Sequence, residues 1–65
     1  MILDAESYVT LMPTLTRGRW LVAVMEYHTS QDEYTIRKTS DPLDRKAAMR
    51  LAAQWAKSYG VEVRL

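Results

Sequence analysis

His28 is the only histidine in this chain of 65 residues. It stands near Glu26 on one side and Asp32 and Glu33 on the other. A histidine among carboxylates can act as a base or hold a metal weakly, because its charge changes near neutral pH. The stretch "HTSQDE" around it reads as a polar turn, so His28 is expected to be solvated. Other makings of catalysis are missing. The sequence has no cysteine, hence no thiolate nucleophile, disulfide or thiolate metal site. One histidine cannot build a histidine-rich metal centre within one chain. No Gly-rich phosphate loop occurs, and no serine sits in a G-x-S-x-G turn. Asp41 and Asp44 have a sufficient role as charges at a helix start. The chain therefore reads as non-enzymatic, with no catalytic residue, metal, cofactor or small-molecule substrate.

Two other groups of residues could bind rather than react. The first is basic. Arg17 and Arg19 flank a turn, Arg37 and Lys38 fall on a strand, and Arg45, Lys46 and Arg50 fall on a helix surface. These are the candidates for phosphate contact. The charge balance tempers that reading: nine Lys and Arg against eight Asp and Glu give +1, not the strongly basic balance of a nucleic-acid domain. The second group is apolar. "RGRWLVAVMEY" reads as a strand with both faces greasy: Trp20, Val22 and Val24 on one, Leu21, Ala23, Met25 and Tyr27 on the other. A strand in a sheet covered on one side should alternate apolar with polar.

The elements that position these residues follow from periodicity. "SYVTLMPTLT" is rich in β-formers, and Pro13 confines it to an edge or a bulge because proline cannot donate to a ladder. Arg17-Gly18 reads as a two-residue hairpin turn. "RWLVAVMEY" and "YTIRKT" supply the next two strands. The period then changes. Asp41 is the expected N-cap, Pro42 the first helical residue and Asp44 a first-turn carboxylate. Ala48, Leu51, Ala52, Trp55 and Tyr59 make one apolar helical stripe, with Trp55 as its largest buried member. Gly60 ends the helix. "VEVRL" closes the chain as a strand, with Val61, Val63 and Leu65 facing one way. The expected fold is α+β in the order β-β-β-α-β. It is an antiparallel three-stranded meander backed by one helix. The short last strand is added parallel to the first strand or to a second subunit. Residues 1–65 form one domain, with residues 1–6 expected to be mobile or loosely docked.

With that turn, Leu15 lies opposite Trp20, Leu11 opposite Val24 and Tyr8 opposite Tyr27. Pairing His28 with Glu33 sets Tyr27 opposite Tyr34 and Met25 opposite Ile36. The helix seat is then Val9, Leu11, Leu15, Trp20, Val22 and Val24, with Thr35, Arg37 and Thr39 at its margin. The other face carries Tyr8, Tyr27 and Tyr34 in a row with Tyr27 central, then Thr10, Met25 and Ile36, then Met12, Ala23 and Lys38. Tyrosine and methionine suit interfaces, being large and adaptable. The partner-binding candidates are Tyr8, Met12, Met25, Tyr27, Tyr34 and Ile36. The alternatives are that "MIL" at the N-terminus folds over this face, or that its tyrosines simply sit wet.

A domain of this length buries only about 60% of the surface its unfolded chain exposes. A single small core supplies ~3–5 kcal/mol. With disulfides and cysteine metal sites excluded, a second subunit is the remaining staple, which favours a homodimer. No apolar run approaches the ~20 residues of a membrane span. "MILDAESYV" has acids where a signal peptide needs lysines. The chain is therefore expected to be cytoplasmic and to bind no membrane.

Two stretches resemble known families. "GRWLVAVMEY", a turn, "YTIRKTS" and a following helix are similar to the three-stranded arm-type DNA-binding domain of tyrosine integrases. The likeness spans Gly18 to Trp55 and rests on Trp20 two residues after Gly18, with alternating strands. It implies a sheet face that reads DNA. "RKAAMRLAAQWA" resembles the final helix of double-stranded-RNA-binding domains, with Arg45 and Lys46 at its basic pair and Ala48, Ala52, Ala53 and Ala56 at its alanines. Two functions are thus expected. The first is a small non-enzymatic interaction module, a dimer or a subunit-binding adaptor or inhibitor, that uses the Tyr/Met face. The alternative is a nucleic-acid-binding accessory protein that uses that face or the basic helix edge.

Overall fold

The computed structural model describes residues 1–65. Its elements are β1 (Tyr8–Pro13), β2 (Trp20–His28), β3 (Glu33–Thr39), α1 (Arg45–Tyr59) and β4 (Glu62–Val63). This is the expected α+β chain. The strands lie in the order β3-β2-β1-β4. The first three form the antiparallel meander, and β4 pairs parallel to β1 within its own chain. β4 reaches only Val9 on β1, so the outer edge of β1 is unpaired by the time the chain reaches Pro13, where a missing N–H costs nothing.

The helix lies across β2, β1 and β4 and not across β3. Its contact stripe is Ala48, Ala52 and Ala56, all buried, against Val9, Val22 and Val24, with Leu3 closing one end. Alanines at i, i+4 and i+8 let the helix axis approach the sheet closely, because they place only a methyl group at the contact. Ala56 therefore belongs to the core. Leu51, Trp55 and Tyr59 flank it and are only partly buried. The Trp55 ring is packed from the sheet side by the Lys38 ammonium, 4.3 Å from its centre. Trp55→Ala should therefore open a solvent-accessible notch, not a closed void. A cost of ~1–2 kcal/mol in a denaturant melt is expected, below the ~3–5 kcal/mol of a fully buried ring.

Four local expectations are corrected. The first hairpin is closed by a four-residue loop, Leu15–Gly18, because Thr14 pairs with Arg19. The Thr14 amide donates to the Arg19 carbonyl at 3.2 Å, and the Thr14 hydroxyl donates to the Thr16 and Arg19 carbonyls. Gly18 takes the positive φ that this loop needs. The register is thus Tyr8 to Met25, Val9 to Val24 and Leu11 to Val22, offset by two residues from Tyr8 opposite Tyr27. An even offset leaves each side chain on its face. Leu15 falls outside the ladder and is exposed.

The second correction is a bulge in β3. Met25 pairs with Ile36 and Val24 with Lys38, so Arg37 is the extra residue. Beyond it the faces exchange. Lys38 turns to the helix side with Val24, and Thr39 turns to the open side with Ala23.

The third concerns the helix start. Leu43 exchanges two backbone hydrogen bonds with Trp20, at 2.7 and 2.9 Å. That bridge holds Leu43 extended, so Asp41 and Pro42 lie before the helix. Asp44 is the N-cap, accepting from the Ala47 amide at 2.8 Å. Gly60 ends the helix in the left-handed region, and the Val61 amide donates back to the Ala56 carbonyl. The terminal strand is shorter than "VEVRL": Leu65 lies beyond it, exposed.

The fourth concerns the alternative in which "MIL" at the N-terminus folds over the Tyr/Met face. Leu3 is buried and its amide donates to the Tyr59 carbonyl at 3.0 Å. Ile2 packs where a side chain at Gly60 would go. "MIL" therefore closes the helix side of the core and does not cover the opposite face. No helix is long and apolar enough to cross a membrane.

Candidate functional site

Two side-chain hydroxyls hold the sheet's margins in register. The Ser7 hydroxyl accepts from the Tyr27 amide at 2.9 Å, and the Ser40 hydroxyl accepts from the Val22 amide at 2.9 Å. Each extends a ladder by one bond where strand pairing stops. Ser7 is fully buried, so losing that bond would orphan a buried amide.

Between these margins the face away from the helix is built in rows. Tyr8, Met25 and Ile36 form one, and Tyr27 with Tyr34 the next. On the other side lie Thr10, Ala23 and Thr39, then Met12 with Leu21. All six expected docking residues, Tyr8, Met12, Met25, Tyr27, Tyr34 and Ile36, share this face. Ile36 is 52% exposed, Tyr34 39% and Met12 36%. The Cα envelope is 37 × 22 × 16 Å, deep enough for one helix on one sheet. No second layer covers the face, and no pocket opens on the chain.

The tyrosines are arranged differently from their strand order. Tyr34 is the central ring, 5.4 Å from Tyr8 and 5.2 Å from Tyr27, both in tilted or edge-on contact. Its hydroxyl donates to the Glu6 carbonyl at 3.0 Å. Tyr27, expected at the centre, is tied outward because its hydroxyl donates to Asp32. That bond is the main reason its hydroxyl is pushed up to about 12, helped by burial and by the charges of Asp32, Asp4 and Glu6. Asp32 adopts a positive φ, which aspartate tolerates better than most residues, and this fixes the loop that carries it. Two rings of the row, Tyr27 and Tyr34, are thus each held by a hydrogen bond.

Besides Asp32 beside Tyr27, charges lie at the β4 edge of this face. Glu62 is level with Tyr8. The Arg64 guanidinium sits 4.8 Å over the Tyr8 ring and is ion-paired to Glu62. Neither residue was singled out from sequence. The alternation Val61-Glu62-Val63-Arg64 does carry the signal, since Val61 and Val63 pack on the core.

The seven basic candidates do not assemble on this face. Arg37 and Lys38 lie on the helix side, filling the space beneath β3 that the helix leaves uncovered. Arg37 is paired with Glu26 at 3.0 Å and lies 5.7 Å over Tyr59. Burial acts to raise the Tyr59 hydroxyl, but hydrogen bonds from Arg37 and Lys38 outweigh it and lower the pKa. Arg45 stacks 4.8 Å over Trp20. Arg17 and Arg19 are exposed at the first hairpin, and Lys46 and Arg50 are exposed on the helix. His28 exchanges a hydrogen bond with Thr35 at 2.7 Å. Of its neighbouring carboxylates, Glu26 holds Arg37 and Asp32 holds Tyr27, and no group of three acids or histidines is placed to hold a metal. No family model, curated protein or solved structure matches this chain.

Proposed function

We propose that this chain is a small non-enzymatic interaction module that docks a polypeptide on its open sheet face. One observation carries the reading: six large tyrosine, methionine and isoleucine side chains share an uncovered face whose charges are confined to its rim, with Glu62 and Arg64 ion-paired at the β4 edge and Asp32 beside Tyr27. Contiguous apolar surface of this kind marks interaction sites. Charged residues are depleted at the centre of protein interfaces, while tyrosine and methionine are enriched there. A phosphate-binding face needs several free cations. Arg64 at the edge is paired with Glu62, and Arg37, Lys38 and Arg45 are engaged with aromatic rings on the other side. That weighs against the DNA-reading sheet implied by the integrase resemblance.

A photo-crosslinking amino acid at position 36 tests this in the cells that make the chain, with position 46 on the outer helix surface as control. Covalent polypeptide adducts are expected from position 36 and not from position 46. Adducts with nucleic acid would replace this reading with the nucleic-acid one. No adduct from position 36, or equal adducts from both positions, would leave the face as ordinary wet surface.

A further inference from the structure

We infer that the polypeptide docked on the open face is a second copy of this chain, related by a two-fold axis that crosses the strands at the level of Val9, Val24 and Val63. This rests on the reading of that face as a docking surface. The argument is self-complementarity. In an isologous contact, residue i meets residue j and j meets i. Val9, Val24 and Val63 are level with one another, and Val24 is the middle residue of β2. On one side of that line stand Tyr8, Met25 and Ile36, and on the other stand Thr10, Ala23 and Thr39. A two-fold on the line sets each large side chain over a small one of the other copy: Tyr8 over Thr10, Met25 over Ala23, Ile36 over Thr39. Facing layers interdigitate when large residues meet small ones.

The charges obey the same operation. Glu62 lies on the Tyr8 side of the line and Arg64 on the Thr10 side. The two-fold brings Glu62 of each copy to Arg64 of the other. Within one chain these two side chains already bond, so the edge of the dimer becomes a four-charge ring of alternating sign.

The area is sufficient for a reversible dimer. With β4 only two residues long, strand spacing and rise outline about 380 Å² of face per copy before side-chain relief is counted. Two copies bury roughly 800–1,000 Å² once side-chain relief is added, the size of weak, reversible contacts. The monomer's shallow core also favours a second layer, since its largest fully buried apolar side chains are valines.

Sedimentation equilibrium on the full chain tests this from about 1 µM to 1 mM. The mass is expected to rise from 7.5 kDa to twice that value across this range. Glu62→Arg leaves two cations at the edge, and Arg64→Glu leaves two anions. Each variant alone should dimerise at least ~10-fold more weakly, because like charges then face each other. An equimolar mixture of the two should regain the parental association. A purely intrachain pair would give no such rescue. Thr39→Trp, which fills the small half at an exposed position, should weaken the dimer independently. Circular dichroism verifies that each variant is folded. A parental mass of 7.5 kDa up to 1 mM overturns the inference. So does a dimer that the mixture and Thr39→Trp leave unaltered, since it must use another surface. In either case the docking reading stands if position 36 still crosslinks a different polypeptide, and falls with the inference if it crosslinks none.

Discussion

Ala52→Asp is expected to leave the chain unfolded at room temperature. Ala52 is fully buried at the centre of the helix stripe, between Ala48 and Ala56 and against the valines of β1 and β2. No donor or cation lies in that contact to compensate a carboxylate, and burying an unpaired charge costs several kcal/mol. The whole stability of a domain this size is ~3–5 kcal/mol, so the cost exceeds the reserve. Ala53→Asp is the matched control. Ala53 is exposed one residue along the same helix, and the change should stay within about 0.5 kcal/mol. Far-ultraviolet circular dichroism through a urea titration reads both. A parental melt for Ala52→Asp would mean that the helix presents another face to the sheet.

Ile36→Asp carries the largest expected effect on binding. Ile36 is half exposed, so a carboxylate is tolerated there in the isolated chain. In a complex it would be desolvated against apolar surface. Interface anchors are often worth ~2 kcal/mol or more, so docking should weaken at least ~30-fold while the melt of the dilute chain stays near the parent's. Tyr34 is the stronger aromatic anchor because its ring touches both other tyrosines. Its hydroxyl also holds the Glu6 carbonyl, so a change there mixes binding with folding. Ile36 separates the two. A variant that docks like the parent would contradict the assignment of the face.

The strand and helix order was legible because its signals are local. Alternation over Trp20–His28, the switch to helical period after Ser40, and Gly60 as terminator each act within a few residues. Which side chains share the open face is legible despite the hairpin, because its register differs from the expected one by two residues and an even offset preserves the faces. The β3 bulge was not legible. Nothing in "YTIRKT" announces an extra residue. The bulge is stabilised by tertiary contacts, Arg37 with Glu26 and Lys38 with Trp55, which no short window contains. The helix start was misplaced for the same reason, because the Trp20–Leu43 bridge joins residues 23 apart in sequence. Tyr27 is not the central ring because pairing specifies only which strand a ring leaves, while the bonds of Tyr27 to Asp32 and of Tyr34 to the Glu6 carbonyl decide where each ring goes.

Methionine oxidation tests the central claim, that the open face is covered in use. Met12 on that face and Met49 on the outer helix are matched in exposure, at 36% and 37%. They should react alike with a mild oxidant in the isolated chain at nanomolar concentration. In intact cells, followed by mass spectrometry of the recovered chain, Met12 should be protected several-fold relative to Met49. Equal oxidation of the two in cells would contradict the account, because the face would then be bare where the protein works.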